Sequence, residues 1–313
     1  MVALVFHGGH YKTGTTSVQS VLRAQEDALR AVGVLYPANP EGSQFGRLQH
    51  AQLLTWCADG KFDKVAENLA QIVKDAEAAG CGRVLLSSEL ATSFYMYPDK
   101  FKEWAGLVER HFDDVRYVFV ARNVLRYTVS MYRELIKSGR AGFHYDIVRP
   151  ILVDRLVEQQ KSIAFFRAWD ASRVTVLDFA ALSADRLVYT MIKTLTGYEI
   201  PAELEAHLNT SAKKAQNMAA LLLNDIYALA GAHLGLYPMS ADVRALVGSA
   251  VKKGKLKRAF HEEFAVRLEE AYTEVTERFA RRALDETRDA LEQSRAGLPA
   301  EIVDYLFKDL PAA

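Results

Sequence analysis

The sequence predicts an α/β fold: a parallel sheet flanked by helices, with a mainly helical C-terminal portion. Three observations predict it. Short apolar runs of β type alternate with helical patterns through residues 1–180. The helical stretches are long enough to serve as the crossovers that parallel strands require. Beyond about residue 181 the strand-type runs give way to helical periodicity. The 313 residues are therefore read as one domain, 1–313, with an α/β core over 1–180 and a helical extension over 181–313.

Val2 to Phe6 form the first apolar run, and a glycine-rich turn comes after it. Residues 16–32 carry Val18, Val21, Leu22, Leu29 and Val32 at spacings that share one helical face. Gly33 ends that helix, and 34–36 form a short strand before Pro37. Residues 38–50 are loop-like, with Pro40, Gly42 and Gly46. A helix is expected over 62–79, a buried strand over 83–87 and a helix over 99–112. A strand over 115–121, a helix over 124–137 and a strand over 174–177 complete the core. Ligands of such sheets bind beyond the carboxyl ends of the strands. Segments 8–16, 87–89 and 122–130 are thus the places for chemistry.

Farther on, Phe260, Phe264, Leu268, Tyr272, Val275 and Phe279 recur at steps of three or four. Two readings stay open: a helix packed on its own domain, or a homodimer seam along the 259–290 helix.

Composition narrows the function classes. Hydrophobic residues make up 50% and charged residues 25%, which excludes a disordered, collagen-like or disulfide-scaffold chain. Thirty-nine basic residues balance 39 acidic ones, for a net charge of zero. That argues against binding duplex DNA through a broad basic surface, while leaving room for a local anion site. Cys57 and Cys81, the two cysteines, read as free thiols in a reducing compartment. The apolar N-terminal run ends at Phe6 without a basic segment, so it reads as neither signal peptide nor membrane anchor. No apolar run approaches the roughly 18–20 residues of a bilayer span. A soluble, cytoplasmic protein is expected. There is no HExxH and no CxxC, so no metal site is expected.

The first turn carries the chemistry. Gly9 and Gly14, four residues between them, precede Thr16, which fits a P-loop frame. Backbone N–H groups and a helix N-terminus in such a loop cradle an anion. In nucleoside-triphosphate enzymes a lysine comes directly after the second glycine. Thr15 stands there instead, and the nearby lysine is Lys12. The loop is built for a phosphate, with its charge displaced. A three-layer sandwich of P-loop NTPase type is the expected architecture.

Tyr11-Lys12-Thr13-Gly14-Thr15-Thr16-Ser17-Val18-Gln19 resembles the 5′-phosphosulfate loop of sulfotransferases that use 3′-phosphoadenosine 5′-phosphosulfate (PAPS). The resemblance implies that Lys12 lies beside the oxygen bridging phosphate and sulfonate. It implies that Thr13, Gly14, Thr15 and Thr16 surround the 5′-phosphate. A second element is independent of the first. Arg122 ends a strand and Ser130 stands eight residues later on the next helix, as in the family's 3′-phosphate site. Arg126 could also approach the ligand. The activity implied is sulfonate transfer from PAPS to a hydroxyl, or an amine, of a carbohydrate or small-molecule acceptor. Adenosine 3′,5′-bisphosphate is the product and no metal takes part. A bacterial-type or carbohydrate-type member is implied. The alternatives are a P-loop nucleotide kinase, which Thr15 counts against, and a non-catalytic PAPS- or nucleotide-binding protein.

The acceptor must lose a proton, so a general base is needed. Glu89, after Ser87 and Ser88 at a strand end, is the candidate; its other reading is a carboxylate at a helix N-terminus with a serine cap. His7, His10 and His50 are further candidates, with His10 and His50 the alternative bases. The basic run Lys252, Lys253, Lys255, Lys257 and Arg258 has two readings: a donor contact around Lys253-Gly254, or a solvated surface facing an anionic acceptor. Asn209 to Ser211, before Lys213 and Lys214, are a loose candidate for the cleft. The resemblance covers about residues 1–210, and the C-terminal third only weakly.

Overall fold

A computed structural model describes residues 2–40, 48–137, 149, 153, 156–184, 186–201, 262–295 and 298–308. Five strands form one sheet: β1 (Ala3–His7), β2 (Val34–Leu35), β3 (Arg83–Ser87), β4 (Asp114–Ala121) and β5 (Val174–Asp178). Their order is β2-β3-β1-β4-β5, and every pairing is parallel. The helices are α1 (Thr15–Ala24), α2 (Glu26–Ala31), α3 (Ala51–Ala58), α4 (Phe62–Ala78), α5 (Pro98–His111) and α6 (Val124–Lys137), then α7 (Glu158–Asp170), α8 (Phe179–Ala184), α9 (Leu187–Thr196), α10 (Glu262–Glu286), α11 (Arg288–Arg295) and α12 (Ala300–Phe307). A 3-10 segment, Glu89–Met96, comes after β3. The expected α/β class with a parallel sheet and a helical C-terminal part is what the chain adopts. No helix among the described residues is long and apolar enough to cross a membrane.

The chain divides into two compact units. The first holds Met1–Asn123, Glu158–Asn209 and Ser294–Lys308; the second holds Val124–Val157, Thr210–Gln293 and Asp309–Ala313. The whole sheet lies in the first unit. Its strands alternate between two different cores, because successive side chains point to opposite faces. Val5, Leu85, Val118 and Val120 join the aliphatic face, where Val18, Val21 and Leu22 of α1 meet Val188, Met191, Ile192 and Leu195 of α9. Phe6, Tyr117 and Phe119 turn the other way into an aromatic core. There Phe166 of α7 lies 5.0 Å from Tyr117 and 4.7 Å from Phe119, ring centre to ring centre. Trp104 of α5 meets Phe6 edge-on at 5.6 Å and donates its indole N–H to the Tyr117 hydroxyl at 3.2 Å.

Three local differences from the sequence reading have physical causes. The helix expected over 16–32 kinks at Gln25, whose φ of −111° leaves the helical range; the Leu29 N–H still reaches the Gln25 carbonyl. Leu29 is fully buried beyond that kink. Helix α3 is short and shows little apolar periodicity. Helix α7 went unanticipated because its first turns bury polar residues, Glu158, Gln159, Gln160 and Ser162, which breaks the apolar stripe that announces a helix.

In the second unit, Phe279 of α10 packs on Tyr132 of α6 with ring centres 5.5 Å apart. The far end of the apolar stripe is thus used within the unit. The side chains of Phe260, Phe264, Leu268 and Tyr272 lie outside the described residues, as do Asn209 to Lys214 and the basic run 252–258.

Trp104 is fully buried, and its loss would empty the centre of the aromatic core. Trp104→Ala is expected to lower stability by about 3–5 kcal/mol, read as a drop in the urea midpoint. Trp104→Phe should cost less, since it keeps ring packing and gives up the hydrogen bond to Tyr117.

Candidate functional site

The carboxyl ends of β1, β3 and β4 bring the sequence candidates onto one edge of the sheet. In the parallel register His7 pairs with Ser87 on one side and Val118 on the other. The segment leaving each strand end is therefore held close to the segments leaving its neighbours.

After β1 the chain must turn sharply under the sheet edge. A Cβ on Gly8 would come within 2.6 Å of the Phe119 ring, so the aromatic core requires glycine there. Lys12 adopts φ 63° and Gly14 φ 83°, both left-handed. That conformation is ordinary for glycine but strained for lysine, a kind of strain concentrated at functional sites. Gly14 opens α1 without a side-chain cap, and the first turn contains no acidic residue. The N–H groups of that turn have no intrahelical acceptor and the helix dipole is uncompensated, as anion binding requires. Thr13 turns inward and donates to the His10 carbonyl at 2.6 Å, while Thr15 lies 3.4 Å from that carbonyl and from Thr13. The Thr13 hydroxyl thus shapes the loop from inside; Thr16 is exposed.

Arg122 stands just past β4, and its Nη1 donates to the Lys12 carbonyl at 2.6 Å, across 110 residues of sequence. Its guanidinium also stacks on Phe179, 4.5 Å from the ring centre. Gln159 of α7 fixes the Arg122 backbone with a reciprocal pair: its Oε1 accepts from the Arg122 N–H and its Nε2 donates to the Arg122 carbonyl, both at 2.8 Å. The structure thus brings Arg122, one of the two residues of the second sequence element, to the loop. Ser130 lies on α6 in the second unit, half-buried, and Arg126 of the same helix is exposed.

Glu89 lies just beyond β3. Ser88 caps the 3-10 segment by accepting from the Leu90 N–H, so the cap reading holds for Ser88, leaving Ser87 for another task. The Glu89 carboxyl is pushed up from 4.5 to about 7, chiefly by burial and further by the negative Glu158; the Thr15 hydroxyl and the Lys12 ammonium pull the other way. A carboxylate in that range can accept a proton near neutral pH. Lys12 and Thr15, from one strand end, thus both act on Glu89, which comes from another.

The histidines behave differently. His50 uses both ring nitrogens: Nδ1 accepts from the Ser87 N–H at 3.0 Å and Nε2 donates to the Pro37 carbonyl at 2.9 Å. It is a bracket holding the end of β3. His7, His10 and His50 are all buried and held neutral, with burial lowering each from 6.5 to about 4.

Two participants had no sequence signal. Glu158 is buried beside Thr92, 3.5 Å from its hydroxyl, and raises Glu89. Gln159 braces Arg122. Both lie in a helix start without a motif, and only the packing of α7 reveals them. No cluster of three or more His, Cys, Asp or Glu suited to a metal ion occurs among the described residues.

These shifts have opposite signs for stability. Folded Glu89 keeps its proton up to about pH 7 whereas the unfolded chain releases it near 4.5, so stability from this group is lost as pH rises through that window. Glu89→Gln is therefore expected to stabilise the protein at pH 8 by about 1–3 kcal/mol, and much less at pH 5, by paired thermal melts. The three buried histidines act the other way: their stability is full above 6.5 and lost as pH falls towards 4, which should steepen acid unfolding.

The model of the Sulfotransferase family matches residues 5–190, a stretch that contains the loop, Glu89, Arg122 and Ser130. Among solved structures, the sulfotransferase domain from the Synechococcus PCC 7002 olefin synthase is similar at 12% identity and TM-score 0.37, over 67% of this chain and 77% of that one. No curated protein matches. With more than half of its length matched by one family model, the chain belongs to the sulfotransferase family.

Proposed function

We propose that the protein transfers a sulfonate group from PAPS to a hydroxyl, or an amine, of a carbohydrate or small-molecule acceptor. One observation carries this reading: Lys12, the open helix start at Gly14 and the raised Glu89 converge on one sheet edge, an anion cradle beside a base. The residues fit an anionic donor. Gly9 has an ordinary φ, yet a Cβ there would meet Thr15 Oγ1 at 2.6 Å and His7 Nε2 at 2.9 Å. Glycine lets the loop backbone close directly onto these two polar groups.

PAPS, when bound, supplies an activated sulfonate on a good leaving group. The N–H groups at Gly14, Thr15 and Thr16, with that of Thr13, would hold its 5′-phosphate. The Lys12 ammonium would stabilise the negative charge that grows on the bridging oxygen as the S–O bond breaks; such fixed charge acts most strongly in a site that excludes water. Glu89 would take the acceptor proton, and its carboxyl near 7 suits that task at neutral pH. Glu158 would keep it basic. Arg122 is assigned to the 3′-phosphate on its position at the strand end, with Ser130 added on sequence spacing alone. A hydroxyl acceptor is favoured because the base is a carboxylate. Cys57 and Cys81 are free and buried, which supports a reducing, cytoplasmic setting.

Two experiments test this. Calorimetric titration should show binding of adenosine 3′,5′-bisphosphate without magnesium; binding of ATP alone, and only with magnesium, would point to a kinase instead. Lys12→Ala is expected to reduce turnover by about 10²–10³-fold with little change in acceptor KM. An unchanged turnover removes Lys12 from the chemistry.

A further inference from the structure

His7 closes β1 directly beneath the loop and has no part in the proposed mechanism. Its ring is fully buried. Nδ1 lies 3.0 Å from Ser87 Oγ, its partner across the β1–β3 register, and Gln19 of α1 donates to the same Oγ at 3.0 Å. Nε2 has no hydrogen-bond partner among the described residues. A buried ring nitrogen left in this state destabilises the fold, so its retention calls for a partner from outside the chain.

The surroundings of Nε2 point to that partner. It lies 2.9 Å from the point where a Cβ on Gly9 would sit, and Thr15 Oγ1 lies 2.6 Å from the same point. Gly9 is not in the left-handed region, so its backbone alone does not demand glycine. Glycine is needed because the imidazole nitrogen and the Thr15 hydroxyl crowd that point, so that Nε2 packs directly against the loop backbone. Nε2 therefore lies at the inner side of the loop whose first-turn amides have no intrahelical acceptor. Ser87 has one hydroxyl proton. With Gln19 donating to its oxygen, Ser87 can give that proton to Nδ1, which leaves the ring proton on Nε2. The low basicity of the buried ring keeps it neutral.

We propose that His7 is a donor-binding residue: its Nε2–H donates a hydrogen bond to an oxygen of the phosphate seated in the loop, with Gln19 and Ser87 fixing the tautomer and orientation. This deepens the proposed donor site and rests on that reading. The neutral ring would add direction without adding charge, leaving the electrostatic task to Lys12. Because Gln19 sits on α1 and Ser87 on β3, the relay would also couple loop occupancy to the strand that precedes Glu89.

The test uses the full chain labelled with ¹⁵N-histidine, with the His7 signals assigned by their loss in His7→Phe. The free protein should show His7 protonated at Nε2. Saturation with adenosine 3′,5′-bisphosphate should move the Nε2 and Nε2–H signals and slow exchange of that proton with water. Where His7→Phe folds, it should bind the bisphosphate about 10–100-fold more weakly. If the loop amides respond to the bisphosphate and His7 Nε2 does not, the His7 proposal fails while the donor site survives. If the bisphosphate moves nothing, the nucleotide reading fails, and sodium sulfate then decides for His7. A shift at Nε2 supports an anion contact, and no shift overturns it.

Discussion

Strand β1 runs between β3 and β4 with all three parallel, so His7, Ser87 and Val118 lie in one row across the sheet. Parallel pairing sends every chain out at the same edge, and the segments beyond it cannot avoid one another. The loop after β1, Glu89 after β3 and Arg122 after β4 are neighbours for that reason. The two cores on either face keep this row in place. Aliphatic side chains fasten α1 and α9 to one side, and a cluster of aromatic rings fastens α5 and α7 to the other.

The site is rigidified from outside the loop as much as from within. The Arg122 guanidinium holds the Lys12 carbonyl while Lys12 occupies a left-handed conformation. Gln159 in turn holds the Arg122 backbone from α7. The strained residue is thus bonded to one strand end and braced by a helix rooted in the aromatic core. Such bracing holds the backbone of the loop at Lys12 in its left-handed conformation.

Burial is used differently at the three strand ends. At β3 it raises a carboxyl towards neutrality, at β1 it keeps histidines uncharged, and at β4 it leaves an arginine partly open. Burying a polar group at such a position costs stability unless it is hydrogen-bonded. The polar start of α7 belongs to the same pattern. Glu158 and Gln159 are buried there, Gln159 bonded to the Arg122 backbone, and they interrupt the apolar stripe that a helix facing a core would otherwise carry.

The sequence by itself determined the class of fold, the place of each strand in the chain, and the loop. These are written in local signals: apolar runs, helical spacing, and glycines followed by threonines. It also pointed to Glu89 and Arg122, each just past a strand, and to Lys12 through the loop that carries it. Only the tertiary structure decided that Arg122 reaches the Lys12 carbonyl, that His50 is a bracket, that Ser88 rather than Ser87 is the cap, and that Glu158 tunes Glu89. Each of those facts depends on contacts or packing that bring separate parts of the chain together. They depend on strand register and helix packing, which no local pattern encodes.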